Sequence, residues 1–415
     1  MEVYSNMEFY LYLLILFLFV AEFIFQIWTN RLEYLSYFFP LPEQLKDIYD
    51  SNTLEKQKKY HLEHFNFSIK QEVLFFLLTF SFIAFKGLGW FDSFLRSHIQ
   101  NEFIVTLTFF AFFGMIYFVL SLPFSYYETF VIEEKYGFNT STKKTFWLDL
   151  VKSLLLTIIL GLPLLWAIFT FYQKAGSFFW LYAWAIVVLF SLFITFFYSK
   201  IIVPLFNKQT PLPEGELKNA IFDFCKKVNF PLKEVYILDA SKRSKKANAY
   251  FTGFGKNKRI VLFDTLIEQM NTDEIVAVLA HEIGHYKKRH IIKSMFMGFI
   301  QTGFLLFTLS LFINHPILNK ALGAEIPSFH IGIIAFGLLF SPISSIISIF
   351  FNYFSRKNEK EADLFAKKYQ QSEALISALK KLAAQNYSHL TPHHIIVRLT
   401  YSHPPLIDRI KLLQS

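Results

Sequence analysis

The run His281-Glu282-Ile283-Gly284-His285 holds three side chains suited to metal-assisted chemistry. On an α-helix, residues four apart lie about 40° apart around the axis, so His281 and His285 share a face. Two imidazole nitrogens then reach one metal ion from successive turns. Glu282 lies about 100° round, beside such an ion rather than on it. A general base belongs there if it is to take a proton from the attacking water. The spacing is the H-E-x-x-H pattern of helical zinc sites, and the chemistry it implies is hydrolysis of a peptide bond. Thr272-Asp273-Glu274 reads as a helix N-cap, and the apolar run 275–280 leads straight into His281. Gly284 in mid-helix costs about 1 kcal/mol relative to Ala, which makes sense if another backbone passes close by. Taken alone, the motif also fits an amphipathic helix with two surface histidines.

Two histidines are half a site, because a catalytic zinc takes a third protein ligand and keeps one position open for water. The stretch Ser355-Arg356-Lys357-Asn358-Glu359-Lys360-Glu361-Ala362-Asp363 supplies it. Glu359 and Asp363 are four apart and share a helical face. Glu359 can bind the metal while Asp363 accepts a hydrogen bond from a ligand histidine and fixes its tautomer. A solvated charged helix is the plainer reading of such a run. Ala362, Phe365 and Ala366 argue against it by making the same helix half-buried. Glu361 is two positions from Glu359, about 200° away, and is expected to point towards Lys357 or Lys368.

Other reactive residues are few. Cys225 is the single cysteine, so there is no disulfide framework and no thiolate metal site. His61, His64, His98, His290, His315, His330, His389, His393 and His394 lack partner spacing with the motif, and surface or interface positions suffice for them.

The elements that position these groups lie in a membrane. Of 415 residues, 53% are apolar, 19% aromatic and 53 are Phe. Mean hydropathy is +0.36, which excludes an ordinary soluble domain. Seven runs of spanning length stand out near 7–28, 70–90, 103–124, 150–172, 177–198, 291–313 and 330–354. The first has no Ala-x-Ala site after it and reads as retained. Glu22 lies within a span and is expected to face protein or water; Lys86, at a span end, is expected to snorkel. Lys and Arg crowd the gaps 29–69, 125–149, 199–290 and 355–415. The positive-inside rule therefore puts the N-terminus outside and both long polar segments in the cytoplasm. That asymmetry also accounts for the net charge of +9, with no nucleic-acid motif beside it.

The division is then 1–198, five spans; 199–290, a cytoplasmic peptidase segment; 291–354, two further spans; and 355–415, a cytoplasmic segment carrying Glu359. Within 199–290, Pro211, Pro213 and Glu214 open a helix near 214–228. Val235 to Leu238 reads as a strand. Asn248 to Gly255 and Arg259 to Phe263 read as a hairpin across Gly255 to Lys258. A small sheet before the zinc helix suits an edge strand that binds a substrate backbone by β-augmentation.

Together these residues resemble the type I CAAX prenyl proteases, integral-membrane zinc peptidases. The resemblance rests on Leu122-Pro123-Phe124, Thr129 to Glu134 with Gly137-Phe138-Asn139, Ser241 to Ser244, Asn248 to Phe251, His281 to His285, Glu359 to Asp363 and Tyr401 to Pro405, in family order. It implies seven transmembrane helices enclosing a chamber, mainly α, with a small α+β gluzincin-like peptidase domain. It implies one Zn²⁺ on His281, His285 and Glu359, with Glu282 as base. It also implies that His403 stabilises the oxyanion, that Arg409 is a nearby polar or structural contact, and that Asn248 and Tyr250 lie beside the substrate. The partners it implies are peptides or proteins, isoprenylated or otherwise hydrophobic, and membrane lipids. The compartment would be the inner membrane of a bacterium or the endoplasmic reticulum of a eukaryote. The short outer loop 314–329 implies a reduced cap on the chamber.

Three other functions share elements of this pattern. A membrane-protein quality-control metalloprotease shares the zinc chemistry but typically has fewer spans. A site-2-type intramembrane protease buries its motif in an apolar span, whereas Tyr286-Lys287-Lys288-Arg289-His290 follows here. An inactive membrane scaffold would not need the intact set His281, Glu282, His285 and Glu359.

Overall fold

The computed structural model describes residues 2–252 and 258–415. Among them, seven helices are long and apolar enough to cross a membrane, as the hydropathy predicts. The first four spans lie in α1 (Glu2–Ser36), α2 (Ser51–Ala84), α4 (Glu102–Tyr127) and α5 (Lys143–Lys174), with the short α3 (Gly87–His98) after α2. The fifth is α6 (Phe179–Phe197), which continues through a π-helical turn into α7 (Val203–Phe206).

Several of these helices overrun their apolar runs because a polar cap starts them early. Asp50 accepts from the Thr53 amide at 2.8 Å, so α2 begins well before the apolar run at 70. Its polar first half stands clear of the apolar zone. There the Gln57 amide donates to the Ser388 carbonyl at 3.1 Å, and His61 meets the Tyr387 carbonyl.

The sheet has the order β1-β2-β4-β3, from β1 (Gln209–Pro211), β2 (Leu232–Leu238), β3 (Ala249–Thr252) and β4 (Lys258–Phe263). β3 and β4 pair antiparallel, as expected. The tip 253–257 of the expected hairpin lies outside the described residues. β2 runs parallel to β4. Pro211 does not open a helix. It ends the edge strand β1, where a missing N–H is tolerated, and α8 (Glu216–Lys227) starts after Gly215.

Next come α9 (Asp264–Gln269), α10 (Thr272–Lys287) and α11 (His290–Phe312), the sixth span. The N-cap of α10 is Asn271, one residue before the predicted signal. Its side chain accepts from the Glu274 amide, and the Glu274 carboxylate accepts from the Asn271 amide, each at 2.9 Å. The short α12 (Pro316–Ala321) precedes α13 (Phe329–Lys368), the seventh span. At 40 residues, α13 runs about 60 Å without a break. One continuous helix, with Pro342 inside it, therefore crosses the apolar zone and carries Glu359 to the polar body. The chain ends in α14 (Ser372–Gln385), α15 (His394–Leu399) and α16 (Leu406–Gln414).

Two large cores stand out among the described residues, with smaller clusters beside them. In the α+β body, Ile260, Leu262, Ile275, Ala277 and Leu279 pack with Ala366, Leu375 and Leu413, so both long polar segments share one interior. The other core lies at the far end of the bundle, around Phe91, Phe109, Phe169, Phe329 and Phe336. Between them the spans bury little: only 6–17% of each most apolar window is buried.

The far end is built from more than the loop 314–329. α3, merged with the second span in the hydropathy reading, caps it together with α12. A Cβ at Gly89 would fall 2.0 Å from the carbonyl carbon of Gly323, so that contact needs glycine. Asp92, 1% exposed, accepts from His330 Nε2 at 2.7 Å and from Arg96 Nε at 3.0 Å. His330 is thus a buried, bonded group rather than a surface one. Glu22 faces protein and accepts from Ser341 Oγ at 2.6 Å. Lys86 does not simply snorkel: its Nζ lies 3.4 Å from Glu8 Oε1.

Candidate metal centre

α10 and α13 pack side by side and bring the motif to the carboxylates of 359–363. The approach depends on Gly284, where a Cβ would sit 3.0 Å from Ala362 Cα. His281 Nε2 and His285 Nε2 are 3.1 Å apart. Glu359 Oε2 lies 3.3 Å from the first and Oε1 3.2 Å from the second. A tetrahedral ion with bonds of about 2.0–2.1 Å has ligand–ligand edges of about 3.3 Å, so the three side chains fit one. Glu359 Oε2 is buried and has no partner at hydrogen-bond geometry, as expected of an oxygen meant for a cation. His281, His285 and Glu359 are also the group that could hold a metal among the described residues.

Both histidines are supported from behind. His281 Nδ1 donates to Asp363 Oδ1 at 2.8 Å, leaving the Nε2 lone pair for a metal. Asp363 is fully buried and is clamped by Arg409, whose Nη2 and Nε donate to its two oxygens at 2.7 and 2.9 Å. Burial opposes charge on His281, yet Asp363 and Glu359 beside it raise its pKa to about 9. His285 Nδ1 lies 3.1 Å from Nδ1 of His290. His290 is 3% exposed, and its Nε2 reaches Glu361 Oε2 at 3.2 Å. So His290 is not a surface group, and Glu361 partners it rather than Lys357 or Lys368.

Glu282 is half-buried on the face beside the site and has no hydrogen-bond partner among the described residues. His403, with 63% of its side chain exposed, stands at the rim with Nε2 3.3 Å from Glu359 Oε1. Tyr250 and His285 line one cleft of about 570 Å³, with Tyr198, Phe251 and Tyr286. Asn248 is exposed just before β3, its Oδ1 accepting from the Ala249 amide at 2.8 Å. β3 is an edge strand.

Residues 31–208 match the family model described as CAAX prenyl protease N-terminal, five membrane helices. Residues 211–415 match peptidase family M48. A CAAX prenyl protease 1 homolog of Arabidopsis thaliana is 37% identical over 389 residues, covering 90% of both chains. That of Homo sapiens is 33% identical over 421 residues, covering 90% of this chain and 89% of its own. The chain belongs to the CAAX prenyl protease 1 family of M48 peptidases. The crystal structure of S. mikatae Ste24p superimposes with a TM-score of 0.92 at 30% identity, covering 98% of this chain and 99% of that one. As a member of the CAAX prenyl protease 1 family, the protein is a multi-pass membrane metallopeptidase that acts on peptides or proteins.

The structure brings His281, His285, Glu359, Asp363, His403 and Arg409 to one centre, with Glu282 next to His281 on α10 and Tyr250 in the cleft that His285 also lines, whereas Asn248 is not part of that lining. The residue missed was His290. Five positions after His285 on one helix it would lie about 140° away. Arg289 at φ 57° breaks the helix and turns His290 back.

Proposed function

We propose that this CAAX prenyl protease relative is a zinc endopeptidase that cleaves near the C-terminus of membrane-delivered substrates with a lipidated or strongly hydrophobic end. The observation that carries this reading is the convergence of His281 Nε2, His285 Nε2 and Glu359 within 3.1–3.3 Å. Two imidazoles and a carboxylate, with no thiolate, suit zinc.

When bound, zinc would supply Lewis acidity that activates water near neutral pH and polarises the scissile carbonyl. Asp363 and Arg409 hold His281 in the tautomer that offers Nε2. Glu282, free of hydrogen-bond partners, takes the proton of the attacking water and hands it to the leaving amine. His403 donates to the developing oxyanion from the rim. The edge strand β3 pairs with the substrate backbone, and Asn248 and Tyr250 flank it. A lipid tail would lie in the open interior between the spans.

The loop charges place the N-terminus outside and the two polar segments in the cytoplasm. The units are the five-span region 1–198, the peptidase segment 199–290, the two-span region 291–354 and the C-terminal segment 355–415. For a eukaryotic source the compartment is the endoplasmic reticulum; for a bacterial one, the inner membrane.

The test is mass spectrometry of peptides cut by the purified enzyme in detergent, using farnesylated and unmodified forms of one CAAX-ended peptide. Release of the last three residues with a clear preference for the farnesylated form is expected. Equal cutting of both, at scattered hydrophobic sites, would favour broad quality-control proteolysis instead.

A further inference from the structure

The two ligand histidines are supported differently. His281 leans on Asp363 directly, whereas His285 leans on a second imidazole. The protons of that second chain follow from geometry. His285 Nε2 faces His281 Nε2 at 3.1 Å and Glu359 Oε1 at 3.2 Å, the point where a metal fits. Its Nε2 must then offer a lone pair, so its proton sits on Nδ1. That proton points at His290 Nδ1, 3.1 Å away, which must accept it. A neutral His290 that accepts at Nδ1 carries its own proton on Nε2, 3.2 Å from Glu361 Oε2.

Each bond in the series fixes the next. We propose that His290 and Glu361 are positioning residues for the metal site, forming a carboxylate–imidazole relay that holds the ring and tautomer of His285. The left-handed turn at Arg289 is what permits it, by starting α11 with His290 packed against the preceding helix. His290 is 3% exposed and so is fixed in place, while the Glu361 side chain is 31% exposed and free to adjust. The relay makes His285 a stronger donor to a metal and removes its freedom to flip. Glu361, turned away from Glu359 by the helix, thus serves the same centre through α11.

This inference rests on the assignment of His281, His285 and Glu359 as metal ligands. The experiment measures the zinc dissociation constant of the full-length protein in detergent by chelator competition. The absorption spectrum of the cobalt-substituted protein is recorded alongside. His285→Ala should lose the metal. His290→Leu should bind zinc about 10–100-fold more weakly and shift the cobalt bands, the usual scale for losing an outer support. Glu361→Ala, at a partly exposed position that tolerates truncation, should weaken binding towards the low end of that range. His290→Gln should restore most of the affinity, because its amide oxygen can accept from His285 while its NH₂ donates to Glu361.

Unchanged affinity and spectrum in His290→Leu or Glu361→Ala, with His285→Ala still metal-free, would overturn the relay alone. So would a His290→Gln protein as weak as His290→Leu, since packing rather than hydrogen bonding would then be the cause. A His285→Ala protein that keeps its zinc would overturn the ligand assignment itself, and the relay with it.

Discussion

The carbonyl oxygen of Ala362 lies 3.1 Å from the point where a Cβ on Gly284 would stand. The histidine pair His281 and His285 on α10, the proposed metal ligands, meets Glu359 and Asp363 on α13 across this contact. Closeness of the two backbones is therefore what sets the distances within the metal site.

Gly284→Ala should separate these requirements. Alanine favours the helix by about 1 kcal/mol, but its methyl must push α13 away by a few tenths of an ångström. The expected result is a folded protein with zinc affinity about tenfold lower, measured by chelator competition. Unchanged affinity would mean that the helix spacing does not govern the ligand distances.

Asp363→Asn keeps the shape of the side chain and removes its charge. An amide cannot offer two acceptor oxygens to Arg409 while accepting from His281. Zinc affinity should fall about 10–100-fold. Arg409 is then left largely buried without its carboxylate, so thermal stability should drop too. Titration with zinc and a melting curve on the same preparation check both. Wild-type affinity would exclude Asp363 as the support of His281.

Much of this was legible because the relevant spacings are local. His281 and His285 on one face, Glu359 and Asp363 on another, and seven apolar runs all follow from helical periodicity. The register also explains why Glu361 avoids the metal. What periodicity cannot show is which element lies opposite. Glu361 meets His290 only because α11 begins at a break made by Arg289, and an arginine at positive φ is not a recognisable stop signal. His330 and Asp92 are 238 positions apart and meet only in the packed end of the bundle. α3 was hidden because Leu88, Trp90 and Phe91 follow the preceding apolar run almost directly, so the two helices read as one stretch. The parallel pairing of β2 with β4 was equally out of reach, since each strand alone fits several sheets.

The orientation can be tested by single-cysteine labelling. Cys225 is buried, and burial pushes its thiol up to about 12, so it should stay silent even before replacement by Ser. In a Cys225→Ser background, a cysteine at position 6 should react with an impermeant reagent in intact cells if that end faces outside at the cell surface, or from the lumenal side in sealed microsomes. Position 245 should react only from the opposite side. The reverse pattern would contradict the orientation taken from the loop charges.

His389 gives the pH prediction. Burial, with His61 nearby, pushes its pKa down to about 3. Its ring stacks on Tyr37 at a centroid distance of 3.8 Å. The folded value lies below the ordinary 6.5, so the unfolded chain binds the proton more readily. Stability is then full above pH 6.5 and falls as pH drops from 6.5 towards 3. His389→Phe keeps the stack and removes the proton. Between pH 6 and 5 the wild type should lose up to about 1.4 kcal/mol per pH unit relative to this variant in denaturation curves. Parallel curves would show that His389 is not protonated on unfolding in that window.

The central claim is that one carboxylate, Glu282, moves protons while three other side chains hold the metal. Glu282→Gln isolates it, since the amide keeps the shape and cannot accept a proton. Metal analysis and peptide cleavage on the same purified protein should give one zinc per chain with activity reduced by several orders of magnitude. A variant that has lost its zinc, or one that turns over at close to the wild-type rate, would contradict the account.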